Sequence, residues 1–134
     1  MTCRTKIYAF NIYDLIKDIR DPEKPFTLED LNILQESSVT LSYLDEELLL
    51  LTVEFVPTTP KCHLAATIGL SLYAKLIANI DNRRFKIRLL LAEDSHNEKD
   101  EIEKQINDKE RIVAALENQA LAALVNECIT FQQD

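Results

Sequence analysis

Residues 49–91 constrain the fold more than any other part of the chain. Leu49, Leu51, Val53 and Phe55 recur with period two, the spacing of one face of a β-strand. Pro57-Thr58-Thr59-Pro60 ends that pattern, because proline fixes its own backbone and has no N–H to give a ladder. From about Lys61 to Ile80 the period becomes four, with Leu64, Ile68, Leu72 and Leu76 on one helical face. Period two returns from Arg84 to Leu91. Phe85, Ile87, Leu89 and Leu91 then face one way, and Arg84, Lys86 and Arg88 the other. Strand, helix and strand in that order predict a right-handed crossover.

Val39, Leu41 and Tyr43 alternate with Thr40 and Ser42, and Asp45 and Glu46 supply a polar turn before Leu49. A hairpin is expected there. Upstream, Ile12, Leu15, Ile16 and Ile19 follow the helical i, i+3, i+4, i+7 rule. They predict a helix over 11–20, ended by Asp21-Pro22. Thr27 and Asp30 have the spacing of a capping box and predict a short helical turn through Leu31. Ser95 and Glu98 repeat that spacing before Ile102 and Ile106. Breaks are expected near Asn107 and at Asn118, before a last helix with Leu121, Leu124, Val125, Cys128 and Ile129 on its apolar face. The expected architecture is α+β, a small three-stranded sheet (hairpin plus crossover strand) covered by helices in the order α-β-β-α-β-α-α. At 134 residues, the chain is read as a single domain over 1–134, with 1–10 as a flexible tail.

Gly69 is the one glycine in the chain. A P-loop, a dinucleotide-binding turn and a G-x-S-x-G elbow each need at least two, which argues against the familiar nucleotide enzymes. The formal net charge is -8. A phosphate-tracking protein needs a basic field, so neither nucleic acid nor an anionic membrane is an expected partner. Met1 to Phe10 has Arg4 and Lys6 but no apolar run behind them, so no signal peptide is expected. The apolar stretch from Leu64 to Ile80 is interrupted by Lys75 and is short for a bilayer. Cys3, Cys62 and Cys128 are too few and too far apart for a disulfide framework. A reducing compartment fits, the cytoplasm with the nucleus left open.

The chemistry concentrates between Val56 and Leu72. Cys62 falls in the first turn of the expected helix, where free N–H groups and the helix dipole stabilise a thiolate. Lys61 adds a positive charge. Thr58, Pro60, His63, Thr67 and Gly69 are its neighbours in the segment. Cys62, Ala65, Ala66 and Gly69 form a small-residue stripe where another backbone could approach closely. The plainer alternative is that the stripe packs on the sheet and Cys62 is an inert core thiol. Cys128 belongs to an apolar face and reads as core. His63 points about 100° from Cys62 on a helix and reads as a surface residue. His96 could join Cys62 at a metal only through tertiary folding. No C-x-x-C or H-E-x-x-H signature occurs. The charged run from Glu98 to Arg111 is most simply a solvated helix face. A docking surface is its alternative.

Three segments together resemble one known family: D-P-E-K-P-F-T-L-E-D-L (Asp21 to Leu31), P-T-T-P-K-C-H-L-A-A-T-I-G-L (Pro57 to Leu70) and Q-I-N-D-K-E-R-I-V-A-A-L-E-N (Gln105 to Asn118). It is the cytosolic iron–sulfur assembly component 2 family, also called MIP-eighteen-like or domain of unknown function fifty-nine. The resemblance runs from Ile12 to Cys128. It implies a non-enzymatic targeting factor that helps bring [4Fe–4S] clusters to cytosolic and nuclear apoproteins. The implied partners are a WD-repeat propeller protein, a large helical-repeat adaptor and the iron–sulfur apoproteins themselves. The family's reactive cysteine falls on Cys62. Asp108, Lys109, Glu110 and Arg111, inside the third motif, are the candidate partner-binding residues. Two departures lie near the site. Lys61 and His63 flank Cys62 where members usually carry a histidine and a small polar residue, and the family's G-T-H turn reads Asp94-Ser95-His96.

No tightly bound cofactor is expected; a transient iron–sulfur cluster is. One cysteine cannot fill four ligand positions, so a cluster would bridge chains or borrow ligands from a partner or glutathione. A homodimer fits that need, and one swapped at a hinge over 79–83 fits the family's habit of exchanging elements. The rival readings are a thiol-based redox or transfer protein using Cys62 and a pure interaction scaffold.

Overall fold

The computed structural model describes residues 9–57, 62–80, 84–92 and 99–130, and at 9–11, 62 and 63 the backbone alone. Three strands, β1 (Val39–Tyr43), β2 (Leu49–Phe55) and β3 (Phe85–Leu91), form one sheet in the order β1-β2-β3. β1 and β2 pair antiparallel, with Val39 opposite Val53 and Tyr43 opposite Leu49. Their turn closes without glycine, because the Asp45 carboxylate accepts the N–H groups of Glu47 and Leu48, each at 2.8 Å. β2 and β3 pair parallel, Leu49 opposite Phe85 and Phe55 opposite Leu91. Parallel neighbours need a crossover, and helix α2 (Cys62–Asn79) makes it.

Period two sorts the sheet's faces as expected. Val39, Leu51, Val53, Phe55, Phe85, Leu89 and Leu91 are buried. Thr40, Ser42, Glu54, Lys86 and Arg88 are exposed on the other side. Among the described residues the helices therefore cover one face of the sheet only. Each fully buried large side chain, such as Phe55 or Leu72, contributes about 1.5–3 kcal/mol from removal of apolar surface from water. α2 is central. It packs against the sheet, α1 (Ala9–Ile16), α3 (Lys99–Asn107) and α5 (Gln119–Ile129), and its residues 65 and 67–72 are all buried.

The first helix departs from expectation at its end. It stops at Ile16, not at residue 20. The chain instead leaves the helical path to make tertiary bonds: Leu28 N–H donates to the Ile19 carbonyl at 2.8 Å, and Arg20 N–H to the Cys128 carbonyl at 3.0 Å. Arg20 and Thr27 form an isolated antiparallel bridge. Asp21, buried, accepts the N–H groups of Glu23 and Lys24 and turns the D-P-E-K-P segment. The capping box at Thr27 and Asp30 forms in both directions, at 3.1 and 3.3 Å.

After β3 the described residues form three helices, divided at both breaks read from the sequence. α4 (Lys109–Leu116) starts where the Asp108 side chain accepts the N–H groups of Glu110 and Arg111. Asn118 caps α5 through the N–H of Leu121. The Ser95 and Glu98 pair lies outside the described residues. No single helix among the described residues is long and apolar enough to cross a membrane.

Candidate functional site

α2 begins at Cys62, so the backbone of the candidate thiol stands at the positive end of an 18-residue helix with no acidic residue in its first turn. A helix start of this kind favours a thiolate through the dipole and the first-turn N–H groups. The side chains of Cys62 and His63 lie outside the described residues, as do Thr58, Pro60, Lys61 and His96. The stripe that follows Cys62 is described. Ala65 is buried in the main core. A Cβ added to Gly69 would sit 2.7 Å from Ile106 Cγ2 and 3.1 Å from Ile106 Cβ. At Gly69 the small-residue stripe thus seats a branched side chain of α3, and a Cβ there would force Ile106 to shift.

A cleft of about 840 Å³ opens between α2, α3, α4 and α5. Leu64, Ala66, Thr67 and Leu70 form its α2 wall, and Leu121 and Leu124 face them from α5. Ala66 is four residues beyond Cys62, so the cleft lies one helical turn along from the start of α2. Thr67 is buried, and its carbonyl accepts the Ser71 hydroxyl at 2.9 Å.

The four candidate partner residues divide by role. Asp108 is engaged in capping α4, which fixes its carboxylate in place. Arg111 pairs with Glu101 at 3.7 Å and with Asp108 at 3.6 Å on the rim of the cleft. Lys109 borders a smaller cleft of about 400 Å³ beside Tyr73 and Phe85. The side chain of Glu110 is exposed.

Cys128 is buried in the main core, as read from its apolar face. Burial pushes its thiol up from the usual range, against the opposing pull of the Arg20 charge. It is therefore a poor ligand at neutral pH. Among the described residues no three His, Cys, Asp or Glu side chains cluster as a metal-ligand set.

Sequence reasoning missed the residues that hold the outer edge of β3 at Leu89 and Leu91. Asn107 donates from Nδ2 to the Leu89 carbonyl at 2.7 Å and accepts the Leu89 N–H at 2.8 Å. Glu103 accepts the Leu91 N–H at 2.8 Å. Two side chains of α3 thus stand in for part of a fourth strand. The spacing of Glu103 and Asn107, one turn apart on a helix following an edge strand, is the signal that was there to read.

Fold and site together define a small α+β domain that sets a cysteine at the head of its central helix, one turn from an apolar cleft. No protein-family model matches the chain. It is 42% identical over 123 residues to a MIP18 family protein of Caenorhabditis elegans, covering 92% of this chain and 76% of that one. It is 43% identical over 127 residues to Protein AE7 of Arabidopsis thaliana, covering 95% and 78%. It is 41% identical over 124 residues to Cytosolic iron-sulfur assembly component 2B of Mus musculus, covering 92% and 74%. The chain belongs to the MIP18 family.

Proposed function

We propose that this chain is a non-catalytic component of cytosolic iron–sulfur protein assembly, an adaptor that helps deliver [4Fe–4S] clusters to apoproteins. The observation that carries the proposal is the 40–46% identity, over most of the chain, to relatives that include two proteins named Cytosolic iron-sulfur assembly component 2B. The placement of Cys62 at the head of α2 supports a role for its thiolate. In this reading the cluster is cargo. Cys62 supplies one ligand during transfer, with His96 as a second candidate, and the remaining positions are filled by a partner, a second copy or glutathione. Buried Cys128 does not compete for it. The WD-repeat propeller protein and the helical-repeat adaptor are the partners, and cytosolic and nuclear apoproteins the clients.

The test is an affinity pull-down from cell extract with the wild type and Cys62→Ala. The expected result is that both versions recover the propeller and adaptor proteins while clients mature only with the wild type. Equal maturation by both would reduce the chain to a scaffold. Recovery of neither partner from a competent extract would overturn the adaptor role.

A further inference from the structure

The two edges of the sheet are treated differently. At Leu89 and Leu91 the outer edge of β3 is held by Asn107 and Glu103. Among the described residues the outer edge of β1 has no such partner. The turn bond from Leu44 N–H to the Leu48 carbonyl sets the phase of the β1–β2 ladder. Thr40 and Ser42 therefore exchange bonds with Thr52 and Leu50, while Leu41 and Tyr43 point their N–H and C=O groups away from β2. Among the described residues nothing pairs with those groups. Beside them Tyr43 is 73% exposed and Leu44 50%.

The charge of the segment that carries this edge is one-sided. Residues 25–60 hold seven of the 23 Asp and Glu and none of the 15 Lys and Arg. They therefore carry seven of the eight net negative charges. Glu36 stands exposed in the turn before β1, and Asp45, Glu46 and Glu47 stand exposed directly after it. Two like copies paired through β1 would set these acids against each other, which disfavours self-association here.

We propose that the β1 edge is a docking site for an extended, lysine- or arginine-bearing segment of a protein partner, which adds as a fourth strand beside Leu41 and Tyr43. Main-chain bonds supply the attachment, as in other strand additions, and the acids at both ends select a basic segment. An exposed edge is ordinarily blunted by lysine, proline or a cover; Val39–Tyr43 holds neither lysine nor proline, and no backbone pairs with its outer edge among the described residues. The edge serves this purpose whether or not Cys62 handles a cluster.

The probe is a short peptide of alternating valine and threonine with lysine at each end, compared with the same peptide ending in glutamates. Binding is followed by fluorescence anisotropy, and amide exchange is read by NMR. The lysine peptide should bind, weaken with added salt, and slow exchange at Leu41 and Tyr43. Tyr43→Pro removes an outward N–H and no ladder bond, so affinity should fall about tenfold while the fold persists. Glu46→Lys with Glu47→Lys should weaken binding and leave the exchange pattern of the free protein unchanged. Failure of the lysine peptide to bind, equal binding of the glutamate peptide, or full binding by Tyr43→Pro would each overturn the proposal. Protection of Leu41 and Tyr43 in the peptide-free protein would also overturn it. Concentration-dependent protection would assign the edge to a second copy, and protection lost on deleting residues 1–8 would assign it to the chain's own N-terminus.

Discussion

Gly69 shows how one residue can be set by a neighbour remote in sequence. Alanine would gain about 1 kcal/mol of helix propensity there. Its methyl would also press on Ile106 at 2.7 Å, against a β-branched side chain that is stiff at χ1 and whose own Cβ lies at 3.1 Å. Overpacking of that kind costs about 1–3 kcal/mol, so strain wins. Gly69→Ala should lower stability by about 1 kcal/mol in urea unfolding. Ile106→Ala should cost less in that background than alone, and additivity of the two would contradict the clash. Cys128 makes a second prediction at this scale. Its folded pKa is raised by burial, while the unfolded thiol titrates near about 8.5. Above that value the unfolded chain releases a proton that the native chain keeps, so stability falls as pH rises. The contribution is intact at neutral pH. Tyr13, raised by burial and by its bond to Glu29, acts with the same sign at higher pH. The urea midpoint should fall more steeply between about pH 7 and about 9.5 in the wild type than in Cys128→Ala. Equal slopes would remove Cys128 from the account.

At the scale of elements, the β2–α2–β3 unit was legible because its apolar period changes from two to four and back, and burial follows that period. The hairpin was legible for the same reason. The end of α1 was not. Nothing in Ile16 to Arg20 forbids helix, and the competing bonds to Leu28 and Cys128 come from distant sequence. Asn107 was read only as a break in the helix. It also holds both backbone groups of Leu89, and loss of two such bonds from a half-buried edge costs about 1–3 kcal/mol. Asn107→Ala should lower stability by about that amount and speed exchange of the Leu89 amide in particular. Asn107→Asp, which keeps the acceptor and loses the donor, should fall between. An unchanged Leu89 amide would mean that the edge is held by something else. Asp108 was read as a partner contact, and its capping bonds add a structural role. Asp108→Ala should cost about 1 kcal/mol through the cap alone. Asp108→Asn preserves the cap and removes the charge, so it is the variant that isolates any part in partner binding. The Cys62 neighbourhood was legible only as a thiol at a helix start, since the spatial partners of a thiol are not written in the spacing of one chain.

For the whole molecule, the two apolar clusters imply unequal stability. The larger joins α1, the sheet, α2, α3 and, through Cys128, the end of α5. The smaller has three buried members, Leu70, Ile112 and Val125, and is the one apolar cluster that α4 joins among the described residues. The end of α5 is tied down further, by Arg20 N–H on the Cys128 carbonyl and by Lys75 Nζ on the Ile129 carbonyl at 3.1 Å. The cleft removes packing atoms from α4's inner side. α4 should therefore open alone, before the rest of the molecule. Native-state hydrogen exchange should show α4 amides exchanging at free energies well below those of α2 and β2, while the last turn of α5 stays with α2. Ile112→Ala should widen that gap, speeding α4 further and changing the exchange of β2 little. If α4 exchanged together with β2, the molecule would be one cooperative unit. The cleft would then be a fixed feature of its surface, with no local opening of α4 to vary its width.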